Sequence, residues 1–228
     1  MSLLPPSLRA SIADDAGFTS GFLQSFLLIL ACELGDRTFF VAAILAMKAP
    51  RITVWAGALS ALAAMTVLSA VIGKAFPLLL DRRHTSIAAA ALFLYFGLQL
   101  LRDWWRMRKQ AHTENEELAE VEEELAAPEK KPKGSRFPAF SPPFVKALTM
   151  TALAEWGDRS QIATIALAAS KDLYGVILGG VAGHAICTGL AVVGGRLLAS
   201  RISERAVALM GGVLFVIFAM VTAGGYVE

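Results

Sequence analysis

The sequence predicts an all-α membrane protein with six transmembrane helices arranged as two inverted three-helix repeats. Three observations predict it. Hydrophobic residues make up 56% of the 228 residues and the mean hydropathy is +0.58, above the range of ordinary soluble domains. Six long apolar segments alternate with charged ones. A six-residue acidic motif occurs twice, 122 positions apart, once in each half.

A membrane-crossing helix needs about 20 mainly apolar residues. Segments 21–47, 54–73, 86–102, 145–169, 175–198 and 206–226 meet that requirement. The first twenty residues lack a basic cluster followed by an apolar core and a cleavage site, so they read as a short extramembrane tail. The first span then directs insertion itself. Between the third and fourth spans, residues 103–143 change character. They begin basic and aromatic around Trp104 and Trp105, turn acidic from Glu114 to Glu124, and end rich in Pro and Lys from Pro128 to Gly134. Like-charge density and proline favour a mobile linker there over a packed helix. The chain thus divides into an N-terminal repeat (1–102), a charged linker (103–143) and a C-terminal repeat (144–228).

Lys and Arg in the loops set orientation. The side holding the termini carries Arg9, Lys74, Arg82, Arg83 and Lys171. The side holding the linker carries Lys48 and Arg51, a run from Arg102 to Lys146, and Arg196, Arg201 and Arg205. That excess places the linker in the cytoplasm and both termini outside, with Trp104-Trp105 anchoring the third helix at the interface.

The motif copies are Glu33-Leu34-Gly35-Asp36-Arg37-Thr38 and Glu155-Trp156-Gly157-Asp158-Arg159-Ser160. At the same offset Gly57 meets Gly179, Thr66 meets Thr188, Gly73 meets Gly195, and Leu92, Phe93 and Phe96 meet Leu214, Phe215 and Phe218. Composition alone does not produce a shared E-x-G-D-R-[TS] string in one register, so the halves are repeats. With three spans each, the second repeat enters the membrane opposite to the first, the arrangement of many secondary transporters.

Each motif lies well inside its span, where a charged side chain costs on the order of 3 kcal/mol on insertion scales. Glu and Asp at i and i+3 project from one face of a continuous helix. Inverted symmetry then gathers Glu33, Asp36, Glu155 and Asp158 around one point, with the Thr38 and Ser160 hydroxyls and the Gln161 amide close by. These are hard oxygen ligands, suited to Ca²⁺, Mn²⁺ or Mg²⁺. Four carboxylates and two arginines leave a charge of about −2, which one divalent cation neutralises and which protons must replace when it leaves. That is the minimum chemistry of a cation/proton antiporter. The plainer reading is a pair of structural Glu–Arg or Asp–Arg ion pairs stitching helices together; two copies at related depth weigh against it. Arg37 and Arg159 read as counter-ions to the acids and not as substrate contacts. The glycine of each motif either admits a neighbouring helix or loosens the turn to free a carbonyl.

Other polar residues have bland readings. His184, opposite Leu62 in the repeat, is expected to be packed and hydrogen-bonded, with a proton relay as the alternative. Gln24 and Gln99 serve helix contacts or interfaces. Cys32 and Cys187 are small buried hydrophobes before they are ligands. No catalytic nucleophile, cofactor motif, nucleotide loop or nucleic-acid motif is seen, and a homo-oligomer is compatible with the pattern.

The doubled motif resembles the twice-repeated E-x-G-D-[KR]-[TS] signature of a cation/proton exchanger family that includes Golgi calcium/manganese transporters and bacterial manganese exporters. Both copies match at every defined position, and the resemblance covers nearly the whole chain. It implies Ca²⁺ or Mn²⁺ transport coupled to protons, with Glu33, Asp36, Glu155 and Asp158 as ligands and Thr38, Ser160 and Gln161 beside them. The short N-terminal tail and the lack of a targeting sequence look like a bacterial member, for which manganese export across the inner membrane is the expectation. The alternatives are export of a cationic organic solute such as an amino acid, or a passive cation channel. An intramembrane enzyme is remote, for want of a nucleophile.

Overall fold

In the computed structural model, residues 6–79, 81–109, 121, 123, 142–199 and 203–224 are described, and among them every ordered element is a helix. In chain order they are α1 (Pro6–Glu33), α2 (Arg37–Lys48), α3 (Arg51–Leu79), α4 (Arg82–Lys109), α5 (Pro142–Ala154), α6 (Arg159–Ala168), α7 (Leu173–Ala199) and α8 (Glu204–Gly224). Four of them, α3, α4, α7 and α8, are long and apolar enough to cross a membrane. Their outward positions carry large apolar side chains, among them Val71, Leu94, Val193 and Met220. Such a continuous apolar exterior belongs against lipid.

The first and fourth expected spans are not continuous helices. Each is a pair of shorter helices broken at the motif, α1 with α2 and α5 with α6. The breaks are alike. Gly35 has φ 77° and Gly157 φ 78°, in the left-handed region that L residues avoid. The Asp36 and Asp158 amides close a turn back onto the Glu33 and Glu155 carbonyls at 3.3 and 3.2 Å. The expectation that each motif's two acids share one face of an unbroken helix is therefore corrected: glycine turns the chain between them.

Helix ends also differ from expectation. α1 starts at Pro6, inside the expected tail, because proline suits a first helical turn and nothing from Ser7 to Glu33 breaks the helix. α4 runs to Lys109, past the expected end at 102, so Trp104 and Trp105 lie on the helix itself. Most of the expected linker lies outside the described residues. Within it Val121 is buried, in one cluster with Phe40 and Ala147, so at that point the linker meets the core and is not a free spacer.

The halves pack by exchange. α1 lies along α7, and its counterpart α5 lies along α3. α2 meets α7, and α6 meets α3. α3 meets α7, and α4 meets α8. Two glycines show the reciprocity atom by atom. A Cβ on Gly57 would meet the Phe144 carbonyl oxygen, and one on Gly179 the Phe22 carbonyl oxygen. Both members of each contact are related by the 122-residue offset. The helices approach this closely only because glycine lacks a side chain. One feature departs from the exchange. The α4–α8 pair also rests on α1 (through α8) and on α6 (through α4), whereas the counterparts, α5 with α4 and α2 with α8, are at most marginal among the described residues. Aromatic rings of Phe93, Phe96, Phe215 and Phe218 fill the α4–α8 seam, with centroids 5.9–6.2 Å apart.

Candidate metal centre

The two helix breaks define the site. Asp36 is the N-cap of α2, and its Oδ1 accepts from the Arg37 amide at 2.9 Å. Asp158 is the N-cap of α6; Oδ1 accepts from the Gln161 amide at 2.8 Å and Oδ2 from the Ser160 amide at 2.9 Å. The Ser160 hydroxyl donates to Asp158 Oδ1 at 3.1 Å. A carboxylate at a helix N-terminus takes up unpaired N–H groups and faces the positive end of the helix dipole. Both motifs therefore begin a half-helix whose positive end sits at the acids. In the second break the Gln161 Oε1 accepts from the Gly157 amide at 2.7 Å, which satisfies a donor that the turn leaves without a helical partner.

Three of the four expected carboxylates come together. Glu33, Glu155 and Asp158 each offer an oxygen within 4.8 Å of the others. Glu33 and Glu155 are each 3% exposed, and Asp158 is half-buried. Asp36 is half-buried and stands outside this triad. Glu33 Oε2 accepts from the Thr38 hydroxyl at 3.4 Å, whereas Glu33 Oε1 and Glu155 Oε2 are buried without a hydrogen-bond partner. Buried acceptors are ordinarily satisfied, so an orphaned oxygen on each of two carboxylates of the triad marks a place meant for a ligand. The oxygen-rich donor set fits a hard or borderline divalent cation.

Two small pockets open on the triad. One is lined by Glu33, Thr38, Phe39, Ala58, Leu62, Thr151, Cys187 and Thr188. The other is lined by Leu62, Met65, Thr66, Ser69, Glu155, Asp158, Ser160, Gln161, Thr164 and His184. Six positions correspond at the repeat offset, but their chemistry differs. Where the first has Phe39 and Leu62, the second has Gln161 and His184. The site is two-fold in backbone and one-sided in polarity.

Other sequence expectations can be placed. Arg37 is exposed and Arg159 half-buried, and among the described residues no ion pair within 4.0 Å joins Arg159 to a motif acid. The counter-ion duty expected of Arg159 is thus not seen as a direct contact. His184 is buried as expected but not hydrogen-bonded through Nδ1, which lies 3.9 Å from Glu33 Oε2. Cys32 and Cys187 are buried free thiols. The Gln24 amide donates to the Ser20 hydroxyl at 2.9 Å.

A helical membrane protein whose two helix breaks bring buried carboxylates together is of the ion-transporter class. Its relatives make this specific. The sequence profile of the divalent cation/proton antiporter GDT1 matches residues 21–108 and 143–227. GDT1-like protein 3 of Arabidopsis thaliana is 50% identical over 199 residues, covering 86% of this chain and 68% of that protein. GDT1-like protein sll0615 of Synechocystis is 47% identical over 207 residues, 89% of this chain and 96% of the relative. A Schizosaccharomyces pombe GDT1-like protein is 38% identical over 235 residues, covering 90% and 82%. No solved structure matches. The chain belongs to the GDT1 family of divalent cation/proton antiporters, transporters embedded in a membrane by several spans.

Proposed function

We propose that this chain exports Mn²⁺, or less favourably Ca²⁺, from the cytoplasm in exchange for protons, through a single site at the two motif breaks. The carrying observation is the Glu33–Glu155–Asp158 triad, three acids from both halves within 4.8 Å of one another in a largely dry interior. Three carboxylates that close cannot all stay charged alone; either a divalent cation or protons must neutralise them. Binding one therefore expels the other, which is the coupling an antiporter needs. Asp36, Thr38, Ser160 and Gln161 complete the ligand set in this reading. Gln161 now holds the Gly157 turn and joins the ion only by releasing it.

The six-span, inverted arrangement is part of the same reading. It is supported by the matched helix breaks, the reciprocal Gly57–Phe144 and Gly179–Phe22 contacts, and α1–α7 packing mirrored by α5–α3. Each broken helix pair then counts as one span, and the site lies where the halves meet, near mid-membrane. Loop Lys and Arg favour a cytoplasmic linker with outward termini, and a cell inner membrane is the setting of this reading.

Proteoliposomes loaded with a pH-sensitive dye test this. Adding Mn²⁺ or Ca²⁺ outside is expected to drive protons out of the lumen, with uptake of the ion in step. Cation uptake without proton movement would make the protein a channel, and proton movement with neither cation would remove the proposed substrates.

A further inference from the structure

His184 is costly where it stands. It sits in the middle of α7, 3% exposed, and its Nδ1 has no hydrogen-bond partner. The matching position of the first repeat is Leu62, 4% exposed, so an apolar side chain packs at this place without penalty. Helix packing therefore does not explain the imidazole. Its neighbour does. Nδ1 lies 3.9 Å from Glu33 Oε2, too far for a hydrogen bond but within the separation of two ligands on one ion with bonds of about 2.1 Å. Glu33 Oε1 is also unpartnered, and His184 lines the pocket shared by Glu155 and Asp158.

We propose that His184 is a nitrogen ligand to the transported ion, gained on the Glu33 side of the carboxylate triad, and that it sets the preference for a first-row transition cation over Ca²⁺. This rests on the antiporter reading of the same site. Ca²⁺ takes oxygen ligands almost exclusively, whereas imidazole suits Mn²⁺ and its neighbours in the series. Carboxylates and hydroxyls alone, as the first repeat supplies, hold either ion. One nitrogen, present in one half only, breaks that tie. The imidazole stands outside the set of atoms within 4.8 Å of one another, so an ion bound by it sits toward Glu33 and away from the centre of the triad.

The test is pulsed electron paramagnetic resonance of the full chain in lipid, loaded with Mn²⁺ and labelled with ¹⁵N-histidine. Only three histidines are present, His84, His112 and His184. The wild type is expected to show ¹⁵N coupling to the bound Mn²⁺, and His184→Leu to lose it. In transport, His184→Leu is expected to raise the KM for Mn²⁺ at least about 10-fold, the scale on which metal-site partners act, and to leave the KM for Ca²⁺ within about 2-fold. His184→Gln should restore neither the coupling nor the Mn²⁺ preference. Bound Mn²⁺ without histidine coupling in the wild type overturns the nitrogen ligand and leaves the antiporter reading standing; this measurement needs no variant to fold. Equal changes in KM for both ions overturn the selectivity role. No bound Mn²⁺ at all overturns both this assignment and the site beneath it.

Discussion

Asp158 does two jobs at once, and the two can be separated. It caps a half-helix, as Asp36 does, and it belongs to the carboxylate triad. Asparagine caps as well as aspartate but carries no charge. Asp158→Asn is therefore expected to insert and fold at near wild-type yield while transport falls at least about 100-fold, the loss of a charged ligand being larger than that of its supporting partners. Size-exclusion profiles and dye-reported proton flux on one preparation check both halves of the statement. Asp158→Ala, which removes the cap too, should lose about 1 kcal/mol of stability in addition. The glycine beside it gives a second residue-scale prediction. A Cβ on Gly157 would touch nothing within 4 Å, so Gly157→Ala isolates backbone strain. It is expected to cost about 1–2 kcal/mol, seen as a lower thermal midpoint in detergent, with Gly157→Asn milder because asparagine tolerates φ near +78°. The acids and hydroxyls were legible in the sequence because a charge in a span is expensive and rarely idle. His184 was noticed but read as a satisfied core histidine, since no spacing rule joins positions 33 and 184. Only the fold brings them to 3.9 Å.

At the scale of elements, the sequence carried the long helices and hid the breaks. α3, α7 and α8 announce themselves by apolar length. The first and fourth spans read equally apolar, and a continuous helix was the natural expectation. A signal for the break was present: glycine followed by aspartate, then an apolar run, is a helix stop followed by an N-cap. It was outweighed by span length, because in hydrocarbon a broken helix needs its freed backbone groups satisfied, and the partners doing so here are the motif side chains themselves. The close helix crossings were half legible, in the Gly57 and Gly179 match. Gly179→Ala is expected to lower the thermal midpoint clearly, because its Cβ would meet the Phe22 backbone, which cannot swing aside. Gly17→Ala, with nothing within 4 Å, is the control and should be neutral or slightly stabilising.

At the scale of the whole molecule, the halves are alike in sequence and unlike in surroundings. Leu34 packs into a buried cluster and Gly35 is buried, whereas Trp156 is 73% exposed and Gly157 is exposed. The α4–α8 pair is one-sided too: it leans on α1 and α6, whereas α2 is buried under α3, α5, α7 and Val121. In the six-span reading α1 and α6 are the halves nearer the termini, and α2 and α5 the halves nearer the linker. Moving α4 and α8 off α6 and α1 and onto α5 and α2 would exchange these contacts, as an inverted pair does in facing both sides in turn. Trp156→Cys is expected to react with a small, membrane-permeant thiol reagent several-fold faster than Leu34→Cys, as their exposures require. Equal rates, or faster reaction at position 34, would contradict this arrangement. No sequence pattern reveals such asymmetry, because both repeats carry nearly the same motif and the difference lies in what packs around each copy.

The central claim is that acids from both motif breaks hold one divalent cation between the halves. The most direct measurement is a structure of the protein loaded with Mn²⁺, with anomalous scattering recorded on both sides of the manganese edge. The account predicts one strong anomalous peak within bonding distance of oxygens from Glu33, Glu155 and Asp158 together. A peak bound by one half alone, or found only on the linker or the surface, would contradict it.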